Sequence, residues 1–443
     1  MSRNRIKTDL RFNILNFIKE ESLGGYILIG ITVIALLWAN SGFYESYHYL
    51  WNELEMGFKF GDFNLTKSLH YWINDGLMAT FFFTIGLEIK REVLAGELSS
   101  IKKASLPIIA AVGGMLIPAL VYVVISYNTP QYLSGWGIPM ATDIAFALGL
   151  MAMLGKRVPI SLKIFLTALA IADDLGAILV IAVFYTESIN LTELINAAFF
   201  LGILFGANRL GVRSTTFYAL VGGLGVWTSF LFSGVHATIA GVLIAMMIPV
   251  RPRIDEKTFI QRLGTCLSVF SNTDPNEQSL LTKKQAEVIS SIEKHVDDAN
   301  TPLQKLEHAL HPFTIYFILP IFALSNAGVH IEGNILNMLL HPISLGIMGG
   351  LIIGKFVGIT LFTRMAVYFK IAPLPQNVRW PHIYGTAFLA GIGFTMSMFI
   401  AALGFENQEY VEIAKVGILA ASLIAAILGI AILSNVKASP DES

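Results

Sequence analysis

Along this chain apolar positions run in long blocks rather than in short alternation, and the blocks recur from residue 23 almost to the end. Each holds about 17 to 25 mostly apolar residues, enough at ~1.5 Å per residue to cross ~30 Å of hydrocarbon. Twelve are read, at about 23–41, 70–89, 105–126, 135–155, 160–185, 191–208, 214–232, 234–250, 307–329, 341–363, 381–404 and 410–434. The pattern predicts an all-α membrane protein, with residues 23–435 as one transmembrane domain. The polar stretches between blocks carry the rest. Residues 1–22 are basic and amphipathic, which predicts an interfacial helix retained on the cytoplasmic side. In the first loop, 42–69, the alternation of Phe58, Phe60, Phe63 and Leu65 around Gly61-Asp62 predicts a small extracytoplasmic β-hairpin. Such a ribbon is marginal alone and needs a partner surface. Residues 251–305 are charged and read as a mobile or helical cytoplasmic loop, too short and polar for a second core and for most of its length a solvated tether, and 436–443 as a C-terminal tail.

Composition agrees with the block pattern: of 443 residues only 14% are charged, and mean hydropathy is +0.64, against ~25% charged in soluble domains. A single cysteine, Cys266, excludes an intrachain disulfide. Net charge is −1 and says little; its placement says more. With both termini cytoplasmic, 25 of the 30 lysines and arginines fall in cytoplasmic segments, and only Lys59, Lys67 and Lys415 are assigned to outside loops. That asymmetry is a positive-inside signal and requires an even number of spans.

Five ionisable or hydroxyl positions sit where the pattern should be apolar. Asp173 and Asp174, in "ALAIADDLGAILV", lie about 13 residues from either end of the fifth block, or ~20 Å along a helix, too deep to reach the interface. As neighbours they point ~100° apart, so one can line a cavity while the other meets a partner on another helix. Thr142 and Asp143 follow Pro139 in the fourth block, and Lys355 lies inside the tenth. Pro139 removes a backbone donor from the fourth block, while Gly391 and Gly393 weaken the eleventh. Spans 4 and 11 are therefore expected to be interrupted helices. Spans 3–5 and 10–12 start on opposite sides of the membrane, the arrangement of inverted-topology repeats. Interrupted helices expose dipole ends, to which an acid such as Asp143 and a base such as Lys355 are suited.

In order along residues 10–435, the segments "WINDGLMATFFFTIGLEIKRE", "PMATDIAFALG", "KIFLTALAIADDLGAI", "SGVHATIAG", "LEHALHP", "LPIFALSNAG", "IGKFVGI" and "GIGFTMSMFIA" resemble the NhaA-type sodium–proton antiporters of bacterial inner membranes, a standard example of inverted-repeat transporters. The resemblance implies a multi-pass inner-membrane antiporter, not an enzyme, that exchanges Na⁺ or Li⁺ for H⁺ electrogenically under pH control. By the same resemblance Asp173 and Asp174 bind cation and proton, Asp174 more directly. Thr142 and Asp143 lie at the helix crossing, with Lys355 as the balancing cation and a candidate proton carrier. Asp75 falls toward the cation route. Glu88, Arg91, Glu307, His308 and His311 match a cytoplasmic pH-response cluster, and His236 a residue linked to that response. The family assembles as a homodimer through the hairpin, here 55–65. One departure is the loop before "LEHALHP", longer than the family's usual connection. The bilayer and the transported Na⁺, Li⁺ and H⁺ are the expected partners; no resident cofactor and no nucleic acid is expected.

The residues supply their own chemical rationale. Na⁺ and Li⁺ are hard cations that prefer oxygen ligands, which carboxylates, a threonine hydroxyl and backbone carbonyls provide. A buried carboxyl is driven to hold either a proton or a cation, and competition for that position gives exchange. Three other readings are weaker. An organic-solute symporter lacks a midplane arginine, an intramembrane aspartyl protease would leave Lys355 unused, and a passive channel does not need opposite charges at one depth.

Overall fold

The computed structural model describes residues 23–60, 63–186, 189–272, 281–331 and 334–436. The expected N-terminal helix, the Gly61-Asp62 turn and residues 437–443 of the tail lie outside the described residues. Helix α1, Leu23–Ala39, is followed by α2, Tyr44–Glu53, at 119°. Strands β1 (Glu55–Phe60) and β2 (Phe63–Ser68) pair antiparallel, with Phe58 opposite Leu65 and Phe60 opposite Phe63. The ribbon is tied to the body where Trp72 Nε1 donates to Met56 O at 2.7 Å.

Helix α3 spans 69–95 and widens into a π turn at Trp72–Leu77. Next come α4 (Ile101–Ile125), a 3₁₀ segment (Pro130–Met140), α5 (Ile144–Met153) and α6 (Ile160–Phe184). Helices α7 (Leu191–Arg209), α8 (Thr215–Ser233) and the ten-residue α9 (Thr238–Met247) follow. Beyond them lie α10 (Glu256–Ser271), α11 (Lys283–Ala299), α12 (Pro302–Asn326) and the short α13 (Ile335–Leu340). The chain ends in α14 (Pro342–Tyr368), α15 (Trp380–Leu389), α16 (Phe394–Gly404) and α17 (Gln408–Ser434). Polar residues start several of these helices: Asn190, Ser214, Thr301 and Asn407 each accept a backbone N–H of the first turn.

Among the described residues seven helices are long and apolar enough to cross a membrane, or ten if each of three bent pairs is one span. The two other blocks of the twelve are helical but fail for separate reasons. Helix α3 carries Asp75, Glu88, Lys90, Arg91 and Glu92, and α9 is too short. One correction concerns Lys415. It is not in an outside loop but in the third turn of α17, 6% exposed. Of the readings of 251–305, it is the helical one that holds over α10 and α11, and α11 opens with a Thr282/Gln285 capping box. Its end is fastened by Arg253–Asp298 (3.3 Å), Lys305–Asp297 (2.9 Å) and Arg213 Nη2 donating to Asn300 O (2.5 Å). The hydrophobic pattern marks these helices only weakly, because α11 repeats its half-buried residues (Val288, Ile289, Ile292) within a charged background.

The main core joins α3 to α6 with α12 and α14 to α17, and a smaller one gathers α7, α8 and α9 around Leu87 of α3. Helices α4 and α14 approach backbone to backbone: a Cβ on Gly113 would strike Gly358 O, and one on Gly358 would strike Gly113 O. This crossing fixes Lys355, which directly follows the π turn Gly349–Gly354. Such turns recur at functional positions because they re-aim one side chain without ending the helix.

Candidate functional site

Two chain breaks meet at the centre of the fold. The 3₁₀ segment and α5 are bent by 47° across residues 141–143, and α15 and α16 by 45° across residues 390–393. The sequence explains each break. Pro139 stands in the 3₁₀ segment two residues before the first, and at the second a side chain on Gly391 would collide with Leu351 O. Backbone groups freed by the breaks bond across them. Asp143 N donates to Ile392 O at 2.7 Å, Thr142 Oγ1 donates to Ala390 O at 2.8 Å, and Ser397 Oγ donates to Ile138 O at 2.8 Å. Irregular backbone at this depth is tolerable because protein groups replace water.

Asp143 serves two helix starts at once. Its Oδ1 accepts Phe146 N of α5 at 3.0 Å, while Oδ2 accepts Thr395 N and Oγ1 of α16 at 3.2 and 2.5 Å. One carboxylate thus faces two positive dipole ends, and both its oxygens are occupied.

Asp173 and Asp174 stand mid-way along α6, 0% and 2% exposed. Their roughly 100° separation sends them to different surroundings. Asp173 Oδ2 meets Lys355 Nζ at 2.6 Å, both side chains fully buried, and Lys355 also donates to Thr142 Oγ1 at 3.0 Å. Asp174 instead lines a narrow cavity of about 40 Å³ with Thr142, Asp143, Thr395, Glu88 and His311. Among the described residues no hydrogen-bond donor and no cation contacts it, and its Oδ1 is buried without a partner, as is Oδ1 of Asp173. The centre therefore holds three acids and one base, with Asp143 satisfied by donors, Asp173 by an ammonium, and Asp174 by neither. A buried carboxylate without compensation is costly, so Asp174 is stable only with a proton or a cation beside it.

At the cavity's other end, Arg91 Nε approaches Glu307 Oε1 at 2.8 Å, and its Nη2 lies 3.0 Å from Glu92 and 4.0 Å from Glu88. Glu88 and His311 line the cavity, whereas His308 of the same helix is exposed. Asp75 and His236 belong to a separate group some 20 Å along α3 from this cluster. Asp75 sits beside His236, Tyr71 and Lys67, and His236 Nε2 contacts Tyr185 O at 2.8 Å. The structure thus brings together Thr142, Asp143, Asp173, Asp174 and Lys355 as one set, Glu88, Arg91, Glu307 and His311 as a second, and Asp75 with His236 as a third.

Sequence reasoning passed over Thr395, Glu92, Thr84 and Thr314 as site residues. Thr395 was visible as a polar residue in "GIGFTMSMF", and Glu92 stands four residues after Glu88 on the same helix face. Nothing in the linear pattern marks the two threonines, which line the cavity from α3 and α12.

The sequence model of the family described as Na⁺/H⁺ antiporter 1 matches residues 15–433. The protein described as Na(+)/H(+) antiporter NhaA from Oleidesulfovibrio alaskensis is 51% identical over 411 residues, 92% of this chain and 90% of the relative. Proteins of the same description from Wolinella succinogenes and Helicobacter acinonychis are each 48% identical, covering 94% and 97% of this chain and 91% and 97% of their own lengths.

Proposed function

The chain belongs to the Na⁺/H⁺ antiporter 1 family, a family of transporters and not of enzymes, and from that premise we propose that it exchanges cytoplasmic Na⁺, or Li⁺, for external H⁺. The single observation that carries the reading is Asp174: a deeply buried carboxyl, open to a cavity of about 40 Å³, with no cation or donor among the described residues to hold its charge. Such a group takes up a proton when the cavity is empty and gives it up when a hard cation arrives. Thr142 and the second aspartate, Asp173, supply further oxygens. The cavity of about 40 Å³ has room for a small cation and a few waters, and its carboxyl and hydroxyl oxygens suit a hard cation.

Asp173 joins the cation only by leaving Lys355, so binding loosens that ion pair and frees a second protonation event, on Asp173 or on the ammonium. More than one proton per Na⁺ makes exchange electrogenic, and the membrane potential then drives Na⁺ outward. The histidine and carboxyl groups His311, Glu88 and Glu307, held against Arg91 at the cavity mouth, respond to pH and gate entry, which gives pH regulation. Residues 101–184 and 342–434 form two inverted repeats; their like-bent middle pairs, 47° and 45°, support this. The protein works in the bacterial inner membrane with both termini cytoplasmic, as the lysine and arginine distribution favours. The exposed edges of the β1–β2 ribbon suit a homodimer through residues 55–65.

The test is Asp174→Asn in reconstituted vesicles. The asparagine is nearly isosteric and cannot alternate between proton and cation, so Na⁺-dependent proton flux disappears while the purified protein elutes and melts as the wild type does. Normal flux in this variant overturns the assignment.

A further inference from the structure

Thr84 and Thr314 face each other inside the cavity that Asp174 lines, 3% and 5% exposed, with their hydroxyl oxygens 3.2 Å apart. Thr314 Oγ1 donates to Thr84 Oγ1, and Thr84 Oγ1 donates back to Thr80 O at 3.1 Å. Both hydroxyl hydrogens are spent in that chain, which leaves one lone pair on Thr84 and two on Thr314. The pair is an acceptor-only element that stands between the polar groups at the two ends of the cavity, Glu88 and His311 at one and Asp174 with Thr142 and Thr395 at the other, beside the apolar Phe81, Ile85 and Leu319.

Its position along the passage is set by two helices running in opposite directions. On α3, Thr84 lies four residues, or ~6 Å, inward of Glu88. On α12, Thr314 lies three residues inward of His311 and opens the π turn Thr314–Ile318. A cation moving from the ion-pair cluster to Asp174 passes this pair. A cavity of about 40 Å³ has room for only a few waters, fewer than a full hydration shell, so oxygens on the wall replace part of the lost ligands.

Resting on the exchange reading above, we propose that Thr84 and Thr314, together with the Glu88 carboxylate, form a transit site for a partly dehydrated alkali cation on the approach to Asp174, and that the pair helps set the preference between Na⁺ and Li⁺. The hydroxyls also link α3 to α12, so the test must separate a ligand from a strut. Thr84→Val and Thr314→Val keep the shape and remove the oxygen; Thr84→Ser and Thr314→Ser keep the oxygen. Proton flux in proteoliposomes is measured against Na⁺ and against Li⁺ at fixed pH, beside thermal unfolding of each purified variant. The valine variants are expected to raise the half-saturating Na⁺ concentration about three- to ten-fold, the scale of one lost polar contact. They should also alter the Li⁺/Na⁺ ratio while keeping the maximal rate, and the serine variants should restore wild-type values. Unchanged half-saturation and ratio in the valine variants overturn the proposal, whether or not the melting temperature falls. A wild-type protein without Na⁺-coupled flux fails the exchange reading itself, which is a distinguishable result.

Discussion

Lys355→Ala removes the ammonium that is ion-paired with Asp173. In the wild type the two groups are fully buried and 2.6 Å apart. Deleting one member of such a pair costs about 3–5 kcal/mol, because the remaining charge is left without solvent or partner. Asp173 has an alternative, which is to bind a proton. Protonating a carboxyl of ordinary pKa ~3.9 at pH 7 costs about 4 kcal/mol, from ~1.36 kcal/mol per pH unit over about three units. The folded variant then carries a proton that the unfolded chain lacks, so its stability falls as pH rises, by ~1.4 kcal/mol per unit above pH ~4. The destabilisation relative to wild type should therefore be about 1.5 kcal/mol at pH 5 and about 4 kcal/mol at pH 7. Thermal unfolding of detergent-purified wild type and variant across pH 5–8 measures it. A deficit that is absent, or equal at pH 5 and pH 8, refutes the reasoning, because it would mean that Asp173 does not depend on the ammonium for its charge.

Three further outcomes follow from the same geometry. Asp143→Ala strips the cap from α5 and the contacts to the first turn of α16, and should lower stability by about 1–2 kcal/mol per helix start, read by denaturation in detergent; Asp143→Asn should lose less. Gly358→Val drives a side chain into Gly113 O where α4 and α14 cross, and should abolish monodisperse folded protein on size-exclusion chromatography, whereas Gly223→Ala, at a position with open space around the added carbon, should not. Glu307→Gln releases Arg91 from its 2.8 Å contact at the cavity mouth, and should shift the pH profile of proton flux while leaving half-saturating Na⁺ at the plateau unchanged.

Much of the fold was legible because a membrane span is a composition as well as a period: the apolar blocks at 160–185 and 410–434 mark α6 and α17 within a residue or two. Legibility failed where polarity and length disagree with that signature. Helix α3 was legible only in part, since the block at 70–89 stops short of the charged turn that carries the helix on to Ala95, and Lys415 is buried although its type argued for a loop. Residues 251–305 looked like a tether because helices packed on one another in water need only a narrow apolar stripe. At the site, Asp143, Asp173, Asp174 and Lys355 stood out from the sequence because a charge in an apolar block needs a reason. Which aspartate meets the lysine and which faces the cavity did not follow from the residues themselves, since both choices satisfy the same ~100° offset until neighbouring helices are in place; only the family resemblance favoured Asp174 as the more direct ligand. The Thr84 and Thr314 hydroxyls were invisible for a related reason: threonine is tolerated in any apolar helix, and only the meeting of α3 with α12 turns two of them into a pair.

The central claim is that one buried seat holds either protons or a sodium ion and not both. Isothermal titration of purified protein with Na⁺, repeated in two buffers of equal pH and different ionisation enthalpy, counts the protons released per ion bound. The account predicts a buffer-dependent heat corresponding to at least one proton released per Na⁺, lost in Asp174→Asn. Heat of Na⁺ binding that is identical in both buffers, at a pH where exchange is active, would contradict it.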